Sequence, residues 1–364
     1  MTATGESTDA TGAPDGAGDE VRRVTPEGEA APLDAPDAPR KRAALVYNPI
    51  KVTPEKLRAQ VSELSAAAGW AEPLFYETTI DSLGDDATRV ALSESVDAVM
   101  VAGGDGTVRA VAEAMSESGV PLTIVPSGTG NLLARNLRLP LDNPATMIRA
   151  TFSGETHAID IAFATLTRAD GTQDRHAFVV MGGMGLDAAM IANTNPQLKK
   201  SVGWVAYVEG AARSLPSAKP FRVMYQLPGR RLHAARVQSV LFANCGSLPA
   251  GLELIPEASV SDGALDIVII QPKGPLGWML VWRRVAWDNS VLRRFRAGRK
   301  VISLRTKDNA VRYSRGTGID LATNNPTPVQ LDGDEFGEAR QVTTRVVAGG
   351  LLLAMPAGHD VSRL

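Results

Sequence analysis

Cysteine is nearly absent: Cys245 stands alone among 364 residues. A single thiol cannot close an intramolecular disulfide, and it fits a reducing compartment. Histidine is scarce too, with four in the chain and no clustered ligand spacing among these residues, so a structural zinc site finds no support. Any metal is expected to be a hard cation held by carboxylates, such as Mg²⁺. No apolar run approaches the roughly 20 residues that a transmembrane helix needs. The N-terminus lacks the basic start and apolar run of a secretory leader. The expectation is a cytoplasmic protein, at most attached peripherally to the inner membrane face. Gly-Lys-Ser/Thr does not occur, which removes the Walker A phosphate loop. There is no internal repeat.

What is present suits a folded protein: 44% hydrophobic and 21% charged residues, in a chain long enough for two domains. The first 40 residues differ, being rich in Ala, Pro, Gly, Asp and Glu with almost no large apolar side chains. They cannot bury a core and read as a disordered acidic tail. Residues 1–39 carry nine acidic and two basic side chains, a net −7, against −2 for the whole chain, which leaves +5 on the remainder. A mildly basic body suits an anionic ligand or an anionic membrane surface as well as ordinary surface variation. It calls for no nucleic-acid partner, and a homodimer is left open.

From Arg42 the pattern alternates apolar strands with amphipathic helices. "AALVYNP", "EPLFYETT", "VDAVMVAGG" and "VPLTIVPSG" read as strands. Helices are expected over 54–68, with Leu57, Val61 and Leu64 on one face, and over 85–95 and 107–118. Such alternation predicts a parallel sheet with helices on both faces, whose ligands bind at the carboxyl ends of the strands. Asn48, Gly103–Thr107 and Ser127–Asn131 each follow a strand and should face one crevice. After about Gly154 strand-like segments dominate, interrupted by helical stretches near 198–214 and 276–296. The expected organisation is a tail (1–40), a nucleotide-binding α/β domain (41–157), a mainly antiparallel β domain (158–345) and a C-terminal segment (346–364) packing back on the first domain.

Two loops carry the chemistry. In "GGDGT" the glycines Gly103, Gly104 and Gly106 allow close approach to phosphate, the following helix start offers N–H groups, and Thr107 is placed to cap it. Asp105 in the middle repels a bare anion, but without a P-loop lysine it can recruit Mg²⁺ or polarise an acceptor hydroxyl. The second loop, "PSGTGNLLARNL", offers Ser127, Gly128, Thr129 and Asn131 before a helix bearing Arg135 and Arg138. Either loop alone could be a tight turn with no ligand, whereas two on neighbouring strands point to a site. Gly183–Ala188 fits Gly-x-Gly-x-x-Ala, but no second parallel strand ending in an acid follows, which argues against a dinucleotide site.

Together these residues resemble the diacylglycerol kinase catalytic-domain family, which includes bacterial soluble lipid kinases and sphingosine kinases. Further resemblance lies in "GGMGLDA" (182–188), "SDGALDIVI" (261–269) and "VQLDGDEFG" (329–337), so that it spans about 43–356. It implies ATP between two domains, with phosphates on the 103–107 and 127–131 loops and Asp105 in the catalytic network. It implies a general base in a C-terminal Asp-Gly-Glu. The letters here are Asp332-Gly333-Asp334, one methylene short, followed by Glu335, which alternation along a strand would point the other way. Asp334 is the expected base. The resemblance further implies a structural Mg²⁺ on Asp262, with the carbonyls of Ser259 and Ala264. At Asn48 many relatives continue Pro-x-Ser-Gly, whereas Lys51 and Val52 stand here.

The 276–300 stretch places Trp278, Trp282 and Val285 on one helical face beside many arginines, which fits a contact with an anionic membrane and equally a core-packed helix. The expected activity is ATP- and Mg²⁺-dependent phosphorylation of a lipid hydroxyl, diacylglycerol first, with a sphingoid base or another lipid alcohol as alternatives. An NAD kinase and a non-catalytic nucleotide- or lipid-binding relative are the remaining rivals.

Overall fold

The computed structural model describes residues 40–79, 82–128, 130–185, 220–247, 255, 257–271, 311–362 and 364, with the backbone of 23–24 and 30–31. The chain divides into a unit at Met1–Arg40 and a unit at Lys41–Leu364. In the first, β1 (Arg23–Val24) pairs antiparallel with β2 (Ala30–Ala31). The rest of the expected acidic tail lies outside the described residues.

The second unit opens with strand–helix alternation: β3 (Ala43–Tyr47), α1 (Pro54–Ala67), β4 (Leu74–Glu77), α2 (Asp85–Ser93), β5 (Ala98–Ala102), α3 (Asp105–Met115), β6 (Leu122–Ile124), α4 (Leu132–Asn136) and α5 (Pro144–Ser153). β4, β3, β5 and β6 lie in that order, all parallel. β3 and β5 are buried throughout, as continuous apolar strands must be when both faces are covered. Alternation sorts their side chains. Ala98, Met100 and Ala102 pack with Leu57 and Val61 of α1 and Ile148 of α5. Val99 and Val101 pack with Ala91 of α2 and Val108 and Val111 of α3 on the opposite face. Pro54 occupies the first turn of α1, where its missing N–H costs nothing.

The β-rich half follows with β7 (Glu155–Thr167), β8 (Gln173–Phe178), β9 (Met181–Met184), β10 (Phe221–Gln226), β11 (His233–Val237), β12 (Ser239–Ala243), β13 (Leu265–Ile270), β14 (Val311–Gly316), β15 (Gly318–Leu331) and β16 (Asp334–Met355). Pairing is antiparallel from β14 through β13, β12, β9 and β15 to β16. A second core fills this half, with Phe178, Phe242, Ile267, Ile319 and Leu331 at full or near-full burial. The expected α/β portion followed by antiparallel β structure is the architecture found.

β16 joins the two halves. Its first part pairs with β15, most of its length pairs with β7, and Leu353 pairs in parallel with Leu122 of β6. Its register breaks between Val347 and Leu351, across Gly349 (φ +62°) and Gly350. Among the described residues no helix is long and apolar enough to cross a membrane. The helices expected near 198–214 and 276–296 lie outside the described residues.

Candidate active site

β5 ends at Ala102, and Gly103-Gly104 turns the chain into α3. Thr107 was placed as a cap by the sequence, but the N-cap is Gly104 and receives no side-chain hydrogen bond. Thr107 is instead buried in the first turn and folded against Gly103, where a Cβ would lie 2.6 Å from its own. Helix formation begins two residues earlier than expected because glycine at the N-cap position is already favourable.

The second loop leaves β6 and reaches α4 through Asn131, which takes a left-handed φ of +47°. Asn131 is buried, and its Nδ2 donates to the Gly128 carbonyl, while its Oδ1 has no partner among the described residues. Ser127 Oγ donates to the Val125 carbonyl at 2.8 Å. Thr129 lies outside the described residues. Arg135 Nε donates to the Gly130 carbonyl at 2.6 Å, so the first arginine expected on this helix braces its own loop. Arg138 falls beyond α4, at φ +56°.

The two loops touch. A Cβ on Gly128 would lie 3.4 Å from the Gly103 carbonyl and from Gly104 Cα. Asp105 Oδ1 accepts the Leu132 N–H at 2.6 Å, so the acid of the first loop satisfies the first turn of the second loop's helix. A Cβ at Gly130 would overlap Asp105 Oδ2, which is why a residue without a side chain stands there. Burial raises the Asp105 pKa, the Leu132 amide opposes that shift, and the Asp334 charge adds to it. Asn48 stands at the end of β3. Its N–H donates to the Ala102 carbonyl at 2.8 Å and its Oδ1 accepts from Ile50 at 3.0 Å. That side chain shapes its own turn, and Lys51 is exposed beside it.

Opposite these loops stands the β15–β16 hairpin. Asp332 and Gly333 have φ of +49° and +89° and Leu331 pairs with Asp334, as a two-residue type I′ loop requires. Asp332 points inward at 3% exposure. Its carboxylate accepts the N–H groups of Val179 (2.8 Å), Val180 (2.9 Å) and Met181 (2.9 Å). Burial pushes its pKa up to about 6 against those three amides and the Arg109 guanidinium. Asp334 instead keeps 46% of its side chain exposed. Its Oδ2 lies 2.8 Å from where a Cβ of Gly106 would be, directly over the first turn of α3. Arg109 Nη2 lies 3.5 Å from that oxygen. Glu335 is exposed on the alternate side of the strand.

Ser259, Asp262 and Ala264 share one turn. Asp262 Oδ1 accepts the Ala264 N–H at 3.0 Å, Oδ2 pairs with the Arg315 guanidinium, and Ser259 Oγ donates to the Leu364 carbonyl. Among the described residues no three His, Cys, Asp or Glu side chains cluster as a metal site. The carboxylate that organises this turn is one the sequence did not flag. Buried Asp160 accepts from Gly263 (2.6 Å) and Gly349 (2.8 Å). An isolated acid inside "AIDIA" carries no visible signal of that role. In the 182–188 segment, Gly182 to Met184 belong to β9, antiparallel to both β12 and β15, so among the described residues this segment joins no parallel βαβ unit.

The glycine loops of a parallel sheet thus converge under a carboxylate from a second, antiparallel half. Residues 42–164 match the diacylglycerol kinase catalytic domain, and residues 179–355 match the YegS C-terminal NAD kinase β-sandwich-like domain. The chain belongs to the diacylglycerol kinase catalytic-domain family, a family of lipid kinases. It is 27% identical over 235 residues to the diacylglycerol kinase of Bacillus subtilis, covering 64% of this chain and 74% of that protein. It is 28% identical over 323 residues to the "Probable lipid kinase YegS-like" protein of Pseudomonas fluorescens, covering 87% and 96%. A crystal structure of a diacylglycerol kinase from Bacillus anthracis superposes with a TM-score of 0.63 at 19% identity, over 88% of this chain and 98% of that one, a likeness of fold.

Proposed function

We propose that the protein transfers the γ-phosphoryl group of Mg²⁺-bound ATP to a lipid hydroxyl, with diacylglycerol as the acceptor. The observation that carries the reading is the position of Asp334: a half-exposed carboxylate held over the first turn of α3, where the two glycine loops meet. Backbone N–H groups of the 103–107 and 127–131 loops, with Asn48 at the rim, receive the phosphates. The orphaned Asn131 Oδ1 is a group that a bound ligand or its water would satisfy. Asp334 takes the proton of the acceptor hydroxyl as that oxygen attacks phosphorus in line, and ADP leaves. Asp105 fixes the geometry of both loops, and its charge faces the same space. Asp332 touches no substrate. Its three amide contacts hold the hairpin so that Asp334 is presented. The Asp262 turn is left outside the reaction. The lipid acceptor comes from a membrane, so the protein is expected to work at an anionic bilayer surface.

The test is a panel of lipid alcohols with γ-labelled ATP, scored by the labelled product. Label in phosphatidic acid supports the proposal. Label in a sphingoid-base phosphate or another lipid phosphate replaces the acceptor, and label in NADP replaces the reading altogether. ATP binding without transfer to any of them would make the protein a non-catalytic relative. Asp334→Ala is expected to lower kcat by about 10²–10⁴-fold with ATP binding retained.

A further inference from the structure

Arg109 lies in the middle of α3, where a charged side chain would ordinarily face water, yet it is 6% exposed. A buried guanidinium is costly unless its surroundings are arranged for it. Its Nη1 lies 3.8 Å from Glu113 Oε2, and Glu113 is itself fixed by the Ala177 N–H at 3.0 Å. The Phe336 ring covers its face at 4.7 Å. Its Nε has no partner among the described residues. Its Nη2 points at Asp334 Oδ2 across 3.5 Å. Glu113 and Phe336 thus anchor the cation from behind, and the end left over faces the half-exposed carboxylate.

We infer that Arg109 is the positioning residue for Asp334, an inference that rests on the assignment of Asp334 as the base. The side chain at 334 is one methylene shorter than the glutamate expected from the family pattern, so it needs an anchor to stay over the loops. The length of the contact matters. A tight bidentate pair would capture the carboxylate, whereas a single contact at 3.5 Å holds it and leaves its second oxygen for a hydroxyl. The cation also offsets the repulsion between Asp334 and the Asp105 charge below it.

A double-mutant cycle tests the assignment. Arg109→Gln is expected to lower kcat by about 10²-fold, the scale of a misplaced catalytic group, with KM for ATP and lipid within about twofold. Arg109→Lys, which keeps the charge, recovers part of the loss. Placed on Asp334→Ala, Arg109→Gln should change kcat by less than about threefold, because a residue acting through Asp334 has nothing left to position. If the Gln variant does not fold, Arg109→Lys carries the same cycle, with a kcat loss that vanishes in the Asp334→Ala background. Losses that multiply overturn the role of Arg109 and leave the base assignment standing. So does an unchanged kcat in Arg109→Gln beside an impaired Asp334→Ala. Full activity in Asp334→Ala overturns both.

Discussion

Asp332 and Asp334 sit two positions apart, and the turn between them sends one carboxylate into the core and the other into the cleft. The buried one titrates unusually. Its pKa is raised to about 6 in the folded chain and lies near 3.9 once unfolded. Between about pH 4 and pH 6 the native state therefore holds a proton that the unfolded state has released, and the contribution of Asp332 to stability falls as pH rises through that window. Asn at this position has no such proton. The stability of wild type minus that of Asp332→Asn, from urea unfolding, is expected to decline from pH 4 to pH 6 and stay level above pH 7. A flat difference would contradict the raised pKa. Gly106 offers a separation of activity from stability. Ala there meets the carboxylate end of Asp334 at 2.8 Å and Leu83 Cδ1 in ordinary contact at 3.8 Å, and removes a helix glycine worth about 0.5–1 kcal/mol. Gly106→Ala is expected to keep or raise Tm while kcat falls, and a variant with unchanged kcat would mean that Asp334 has no fixed seat. Asp105→Asn keeps an acceptor for the Leu132 amide and loses only charge, so turnover should collapse with circular dichroism unchanged.

Elements were legible in the sequence wherever one physical signal dominated. Continuous apolar runs stopped by glycine or proline marked β3, β5 and β6, because a strand covered on both faces has no polar side to show. The glycines of both loops were visible for the complementary reason: close backbone approach admits no side chain. The long β7 strand was not separated out, since "ETHAIDIAFATLT" mixes polar ends with an apolar middle and pairs with a strand almost 200 residues away. Arg109 was equally silent. An arginine between valine and alanine in a helix reads as a solvated face, and only the fold shows it buried, with Phe336 over its guanidinium. The Thr107 cap failed because one residue type, glycine, satisfied the start of the helix first. At this scale Leu353, 1% exposed and paired with Leu122, is the testable link. Leu353→Ala is expected to cost about 2–4 kcal/mol by chemical denaturation, and a cost below about 1 kcal/mol would mean that β16 adds little to the parallel sheet.

Across Lys41–Leu364 the two halves form one compact unit. One buried cluster draws Val99 and Val101 from the parallel sheet, Ile159 and Ile161 from β7, and Leu241 and Val268 from the antiparallel half. Shared burial of this kind couples regions thermodynamically. A single thermal transition is expected by calorimetry, and a fragment of residues 41–157 should fail to fold because β6 loses its β16 neighbour. Two resolved transitions, or a stable fragment, would show that the halves are independent.

The break in β16 at Gly349–Gly350 has a consequence for anyone recombining these kinases. The strand keeps β7 as a neighbour on both sides of the break, while its other neighbour changes from β15, up to Arg345, to β6 of the parallel sheet, at Leu353, so the boundary between halves meets the chain a second time near that glycine pair. A chimaera that exchanges the antiparallel half with one crossover separates Leu353 from its parental partner Leu122. A second crossover at 348–350 returns Leu353 to the parent that supplied the phosphate loops, and divides the end of the β7–β16 ladder between the parents.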